Sequence, residues 1–238
     1  MPVIFIDTLE KAETACAELR KHTLLALDME GQKLGRNGQT SLIQIAIPSQ
    51  HPLRVTDTTV WKATAVYIFD VLTLGAILFE SPTLLGPILK SPNIIKLCYD
   101  CRCDAEALFY VHGILADGLY DLQIAYTLLF QSNSDPYLKG LHKALRTVLP
   151  AHDKHVLRVK METKKRSDIG EVMMTRPVSL PVLEYCASDV EYLFTMHNRW
   201  SRYLPETLLH LSRQRMLQYI NREQSWCMSR LDFAPCVF

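Results

Sequence analysis

The sequence predicts an α/β protein: a mixed sheet with helices on both faces, followed by a helical C-terminal part. Three observations carry that prediction. Short apolar runs alternate with segments of helical period between Ile4 and Phe130. The link between the first two central runs, Gly31 to Thr40, is turn-rich and short enough for an antiparallel hairpin. From Tyr137 onward, apolar residues recur mainly at helical spacing. The chain has 238 residues, 48% of them hydrophobic, with no internal repeat or low-complexity tract, so a single domain with a full core is expected.

The elements follow in order. Ile4-Phe5-Ile6 is a short apolar run, after which Asp7 or Thr8 can cap a helix to about His22 with Ala12, Ala15, Cys16 and Leu19 on one face. Thr23–Met29 reads as the first central strand and Ser41–Pro48 as its hairpin partner. The polar stretch Ser49–Ala65 reads as a variable loop before a third strand, Val66–Val71. A Leu-rich helix broken by Pro82 and Pro87 is expected over Gly75–Lys90, then a strand at Ile94–Tyr99. Cys101–His112 should be a helix with Ala105, Leu108 and Phe109 inward, closed by Gly113. A short strand at Leu119-Tyr120 leads through Asp121 into a helix over Leu122–Phe130. Leu138, Leu141, Leu145 and Leu149 lie at helical spacing up to Pro150. Residues 151–179 read as a basic loop with partial helix. Pro181–Tyr203 reads as one strong helix with a buried stripe of Leu183, Val190, Leu193 and Phe194, and Leu208–Trp226 as the last.

Leu24-Leu25-Ala26-Leu27-Asp28-Met29-Glu30-Gly31 stands out within this frame. A strand apolar on both faces sits inside a covered sheet, yet this one ends in two acids. Asp28 and Glu30 are two apart and project from the same face. Paired carboxylates there repel unless a cation lies between them, and hard oxygen ligands suit a divalent ion. A strand end meeting solvent is the other reading of the same residues.

Composition narrows the setting. Net charge is only +1, but residues 1–138 hold ten Lys+Arg against fifteen Asp+Glu, and residues 139–238 hold sixteen against ten. An acidic first part beside a basic second part suits a metal site next to a track for an anionic polymer. The segment 139–166 carries nine Lys+Arg against Asp153 and Glu162. Lys154, Arg158, Lys160, Lys164, Lys165 and Arg166 are its candidates for phosphate contacts, although a solvated loop is an equal reading. Tyr137 and Trp61 are candidates for stacking on bases. No stretch approaches the roughly 20 apolar residues of a membrane span, so no membrane partner is expected. Seven cysteines without regular spacing point to free thiols, hence an intracellular protein of cytoplasm or nucleus.

Two more acids complete a pattern. Asp104 follows the fourth strand in Tyr99-Asp100-Cys101-Arg102-Cys103-Asp104, and Asp189 lies one helical turn after Tyr185. Asp-x-Glu on a first strand, an Asp after a later strand, and Tyr-x-x-x-Asp on a late helix resemble the DEDDy 3′–5′ exonucleases. These are the ribonuclease D-like branch of the DnaQ, ribonuclease H-like superfamily. Thr40–Ala46 and Arg176-Pro177 followed by Tyr185–Leu193 resemble further family stretches, as does Lys96–Asp104, which is similar above all to the second motif of eukaryotic exonuclease-domain-containing proteins. Tyr99 stands where family members often have His.

The resemblance implies a ribonuclease H-like fold and an exonuclease domain over residues 1–204, with residues 205–238 a helix and tail of the same domain. It implies that Asp28, Glu30, Asp104 and Asp189 hold two Mg²⁺ or Mn²⁺ ions, with Asp100 the rival of Asp104. Tyr185 would orient the attacking water, and Asp121 would serve as a cap or support rather than a ligand. Two metals about 3.5–4 Å apart can activate water and hold the departing 3′ oxygen. The implied reaction trims single-stranded RNA or DNA from a free 3′ end to nucleoside 5′-monophosphates, RNA being the expected substrate. The alternative is a nucleic-acid-binding or adaptor module without turnover. Silent relatives typically have substituted acids, and this chain does not.

Overall fold

The computed structural model describes residues 1–49, 53–55, 58–132, 137–149 and 169–222. Among these the strands are β1 (Val3–Ile6), β2 (Leu24–Gln32), β3 (Gln39–Pro48), β4 (Leu53–Val55), β5 (Thr58–Val60), β6 (Ala63–Asp70), β7 (Ile95–Cys98) and β8 (Leu119–Asp121). The helices are α1 (Leu9–Leu19), α2 (Val71–Leu74), α3 (Ile77–Glu80), α4 (Leu85–Lys90), α5 (Arg102–Tyr110), α6 (Leu122–Phe130), α7 (Leu141–Leu145), α8 (Ile169–Met174), α9 (Leu180–Val190), α10 (Leu193–Trp200) and α11 (Leu208–Asn221). None of them is long and apolar enough to cross a membrane.

One mixed sheet runs in the order β1-β6-β3-β2-β7-β8, and β4 and β5 form a separate antiparallel pair. β2 pairs antiparallel with β3 and parallel with β7, which makes it a central strand. Residues of opposite parity pack into two cores. Leu25, Leu27, Met29, Ile43, Ile45 and Phe69 face one, with α1, α3, α4 and α5. Ala26, Leu42, Ala46, Val66, Ile68 and Leu97 face the other, with α6, α7, α9 and α10. Asp28 and Glu30 therefore point to the α9 side. This is the ribonuclease H-like α/β arrangement that the resemblance implied, with helices flanking the sheet and a helical C-terminal region.

Several elements differ from their sequence readings for identifiable reasons. The stretch Ser49–Ala65 contains the β4–β5 pair, and β6 starts at Ala63. The single helix expected over Pro181–Tyr203 is α9, α10 and a 3₁₀ turn, Ser201–Tyr203. The Glu191 carbonyl accepts from Ala63 N at 3.1 Å, and Tyr192 takes φ −104°, ψ 2°, so helical bonding is diverted to the sheet. Val182, Cys186 and Ala187 line the buried side of α9, leaving Leu183 half-buried. Three short helices occupy Val71–Lys90; Gly75 closes the first at φ 66°. Pro87 sits inside the first turn of α4, where its missing N–H would have no partner, so it breaks nothing. Phe109 is 38% exposed rather than inward, its ring edge-on to Tyr110. The leucine series from Leu138 yields only α7.

Candidate active site

The acids are placed by strand register and one helix face. Across the β2–β3 ladder Asp28 lies opposite Gln44, and Glu30 opposite Leu42, after which the register shifts between Glu30 and Gly31. Gly31 is required there: a Cβ would lie 2.0 Å from Gln39 O on the returning strand. Gln44 is fully buried and donates from Nε2 to Asp28 Oδ2 at 3.2 Å, restricting how that carboxylate can turn.

α9 crosses β2, β3 and β6. Ser179 stands at its N-cap and Pro181 in its first turn, the positions where extended backbone and a missing N–H fit a helix start. Its buried residues Val182, Cys186 and Val190 set its rotation, and that rotation turns Tyr185 and Asp189 toward the end of β2. Carboxylate oxygens of Asp28, Glu30 and Asp189 all lie within 4.8 Å of one another. Among the described residues, this trio is the group of His, Cys, Asp or Glu side chains arranged to hold a metal ion.

Asp104 adds a fourth carboxyl group nearby. It is 6% exposed on the first turn of α5. Burial, then the charges of Asp28 and Glu30, push its carboxyl well above the ordinary carboxylate range. The Asp189 carboxylate, then burial, then Glu30 and Asp28, push the Tyr185 phenol upward, so it keeps its proton at neutral pH. Repelling carboxylates around a protonated phenol are the donor set that a hard divalent cation would relieve. The residues present thus fit such an ion.

The other candidates separate cleanly. Asp100 is engaged by Arg102 at 2.6 and 3.0 Å and by Arg215 at 3.4 Å. Asp121 caps α6, accepting from Gln123 N at 2.9 Å, and pairs with Arg215 at 2.7 Å, so its supporting position matches the reading as a cap. Tyr99 donates to Lys139 O at 2.8 Å and ties the approach to α7 to the end of β7. Trp61 packs against the α9-side core, and Tyr137 is 47% exposed. Lys154, Arg158, Lys160, Lys164, Lys165 and Arg166 lie outside the described residues.

Two features of the site were missed by motif reading. One is Gln44; a glutamine in the middle of Leu42-Ile43-Gln44-Ile45-Ala46 must find a buried partner, and that was the available signal. The other is the clamp that holds α8 and α9 to the sheet. Arg176 donates to both oxygens of buried Asp70, at 2.8 and 2.7 Å, and to Ser41 Oγ at 2.9 Å. Ser41 Oγ in turn donates to Met173 O.

Comparison with known proteins is consistent with this geometry. A family model described as 3′–5′ exonuclease matches residues 3–204. The chain is 27% identical over 191 residues to the piRNA biogenesis protein EXD1 of Homo sapiens, covering 79% of this chain and 34% of that protein. It is 28% identical over 174 residues to ribonuclease D of Xanthomonas oryzae pv. oryzae, covering 70% and 44%. The chain therefore spans about a third to a half of the length of these curated relatives. The crystal structure of Trypanosoma brucei RNase D in complex with RNA U12 superposes with a TM-score of 0.68 at 26% identity, covering 92% of this chain and 69% of that one.

Proposed function

This chain belongs to the 3′–5′ exonuclease family, in its DEDDy, ribonuclease D-like branch, and from that premise we propose that it hydrolyses single-stranded nucleic acid from a free 3′ end. RNA is the proposed substrate, and nucleoside 5′-monophosphates the products. The observation that carries the reading is the meeting of Asp28, Glu30 and Asp189 oxygens within 4.8 Å, with buried Asp104 in their field.

In this reading Asp28, Glu30, Asp104 and Asp189 hold two Mg²⁺ or Mn²⁺ ions. Bound ions would supply Lewis acidity at the attacking water and at the departing 3′ oxygen. The protein's own contribution is placement. Gln44 fixes the rotation of Asp28 through its 3.2 Å bond. Tyr185, kept protonated, offers a hydroxyl that orients a water or a phosphate oxygen, which is positioning rather than base catalysis. The Arg176 clamp keeps α9, and with it Tyr185 and Asp189, against the sheet. Lys154, Arg158, Lys160, Lys164, Lys165 and Arg166 are proposed to contact phosphates without reading sequence.

The test uses 5′-labelled single-stranded RNA and DNA of equal sequence with Mn²⁺, Mg²⁺ or EDTA, and Asp28→Ala and Asp189→Ala in parallel. A metal-dependent ladder shortening from the 3′ end, lost in both variants and stronger on RNA, is the expected result. Salt-sensitive binding without shortening would replace the enzyme with a binding or adaptor module.

A further inference from the structure

α11 begins at Leu208, beyond the residues 3–204 matched by the family model, yet one of its faces is built into the turn that launches α5. Ser212, Arg215 and Tyr219 follow one another at three- and four-residue spacing and share that face. Ser212 Oγ accepts from Asp121 N at 2.9 Å. The Arg215 guanidinium donates to Asp121 Oδ2 at 2.7 Å, Gln123 Oε1 at 2.6 Å and Asp100 Oδ1 at 3.4 Å. The Tyr219 ring lies 5.4 Å from the Arg102 guanidinium, whose donors grip both oxygens of Asp100.

Asp100 is the point under constraint. It adopts φ 64°, a left-handed conformation that aspartate tolerates better than most non-glycine residues and that the bonds around it hold in place. Its N–H donates to Asp121 Oδ1 at 2.9 Å, which draws two carboxylates together at the ends of β7 and β8. Gln123 touches both, donating from N to Asp121 Oδ1 at 2.9 Å and from Nε2 to Asp100 Oδ2 at 3.3 Å, and Arg215 is the bridge that brings positive charge to the pair. Without it, Asp100 and Asp121 would repel, and the two turns they anchor would spread. The turn at Asp100 sets where α5 starts, and Asp104 is on the first turn of α5.

We propose that Arg215 is a positioning residue for Asp104. By bridging Asp100 and Asp121 it sets the α5 turn so that the Asp104 carboxylate completes the metal-ligand set with Asp28, Glu30 and Asp189. The inference rests on the exonuclease reading, and it makes α11 part of the working site.

The experiment titrates the 238-residue chain with Mn²⁺ alone by calorimetry, then measures the Mn²⁺ dependence of 3′-end shortening. Wild type is compared with Arg215→Met, Arg215→Lys and Arg213→Gln. Arg213 lies on the same helix and pairs with Asp117 at the surface, so its variant serves as the control. Arg215→Met should bind Mn²⁺ about tenfold or more weakly, with the half-saturating Mn²⁺ for shortening raised to match and KM for the oligonucleotide unchanged. Arg215→Lys keeps the charge but not the planar fork, and should fall between. Arg213→Gln should behave as wild type. Unchanged Mn²⁺ affinity in folded Arg215→Met overturns the proposal, even if its melting temperature falls. If Arg215→Met does not fold, unchanged affinity in Arg215→Lys overturns it instead. Wild type that binds no Mn²⁺ would remove the exonuclease reading and this inference together. Wild type that binds and shortens normally beside indifferent Arg215 variants would remove only the inference.

Discussion

Replacing Arg176 with methionine tests whether the third motif is held in place by a buried ion pair. Arg176→Met keeps the aliphatic length and removes the guanidinium donors that reach Asp70, Ser41 and Met173. The Asp70 side chain is 2% exposed and that of Arg176 24%. After the substitution Asp70 keeps only its bonds from Thr73 N at 3.2 Å and Thr73 Oγ1 at 2.7 Å. Stranding a buried carboxylate in this way costs about 3–5 kcal/mol. The partial exposure of Arg176 brings the expectation to about 2–4 kcal/mol. For a chain of this size that is a fall of about 4–16 °C in Tm, at 2–4 °C per kcal/mol. Urea unfolding of Arg176→Met, Asp70→Asn and the double variant closes a cycle. The double variant should be more stable than the sum of the singles by about 1 kcal/mol or more. Additive energies, or a single-variant loss under about 1 kcal/mol, would refute the reasoning. pH supplies a second arm. Burial pushes the Asp70 carboxyl up, but Arg176 and the two Thr73 bonds outweigh it and hold it below its ordinary value of 3.8. A depressed folded pKa means that the pair's stabilisation is full above the unfolded value and is lost as pH falls through the folded one. Asp70→Asn should flatten that acid limb.

Three further outcomes can be checked alongside. Asp104→Asn removes a carboxyl that burial and its neighbours oppose, so the metal-free protein should gain about 1–2 kcal/mol, while the Tm rise on adding Mn²⁺ disappears; thermal scans with Mn²⁺ and with EDTA read both effects. Gly31→Ala drives a Cβ against Gln39 O, 2.0 Å away, and should cost about 1–3 kcal/mol and weaken Mn²⁺ binding by displacing Glu30. Burial lowers the Lys96 pKa from 10.5 to about 8. Between those values the unfolded chain binds the extra proton, so the Lys96 contribution to stability rises with pH across the window, by about 3 kcal/mol at most; urea midpoints at pH 7.5 and 9.5 should diverge between wild type and Lys96→Met.

Much of this fold was legible because its strands carry strong local signals. Leu24–Met29 has apolar residues on both faces and ends in acids, and it is the central strand that such a pattern requires. Thr8 was readable as a cap, and its hydroxyl accepts from Lys11 N at 3.3 Å. What failed was decided by tertiary contacts. The break between Val190 and Leu193 depends on Ala63 capturing the Glu191 carbonyl, and nothing in the helical spacing records that bond. Phe109 looked inward by period, but the buried side of α5 is set by Ala105, Ala107 and Leu108. At the site, spacing alone pairs Asp28 with Glu30 and Tyr185 with Asp189. Gathering them into one place depends on the ladder register and the rotation of α9, and choosing Asp104 over Asp100 was a matter of resemblance. The separate engagement of Asp100 by Arg102 and Arg215 is visible only in three dimensions.

The strand order also bears on how the protein is made. β2 and β3 pair across a short turn, whereas Val3 of β1 must wait for Val66 of β6. Closing a short loop sacrifices less chain entropy than closing a long one, so the pairing that sets Asp28 beside Gln44 costs less chain entropy than the β1–β6 pairing, although the hairpin is marginal until further elements pack on it. Asp189 joins it only after most of the polypeptide has emerged. The acidic trio is therefore completed late, with the docking of α9, and an ion can be gripped by all three carboxylates only once most of the chain has been made.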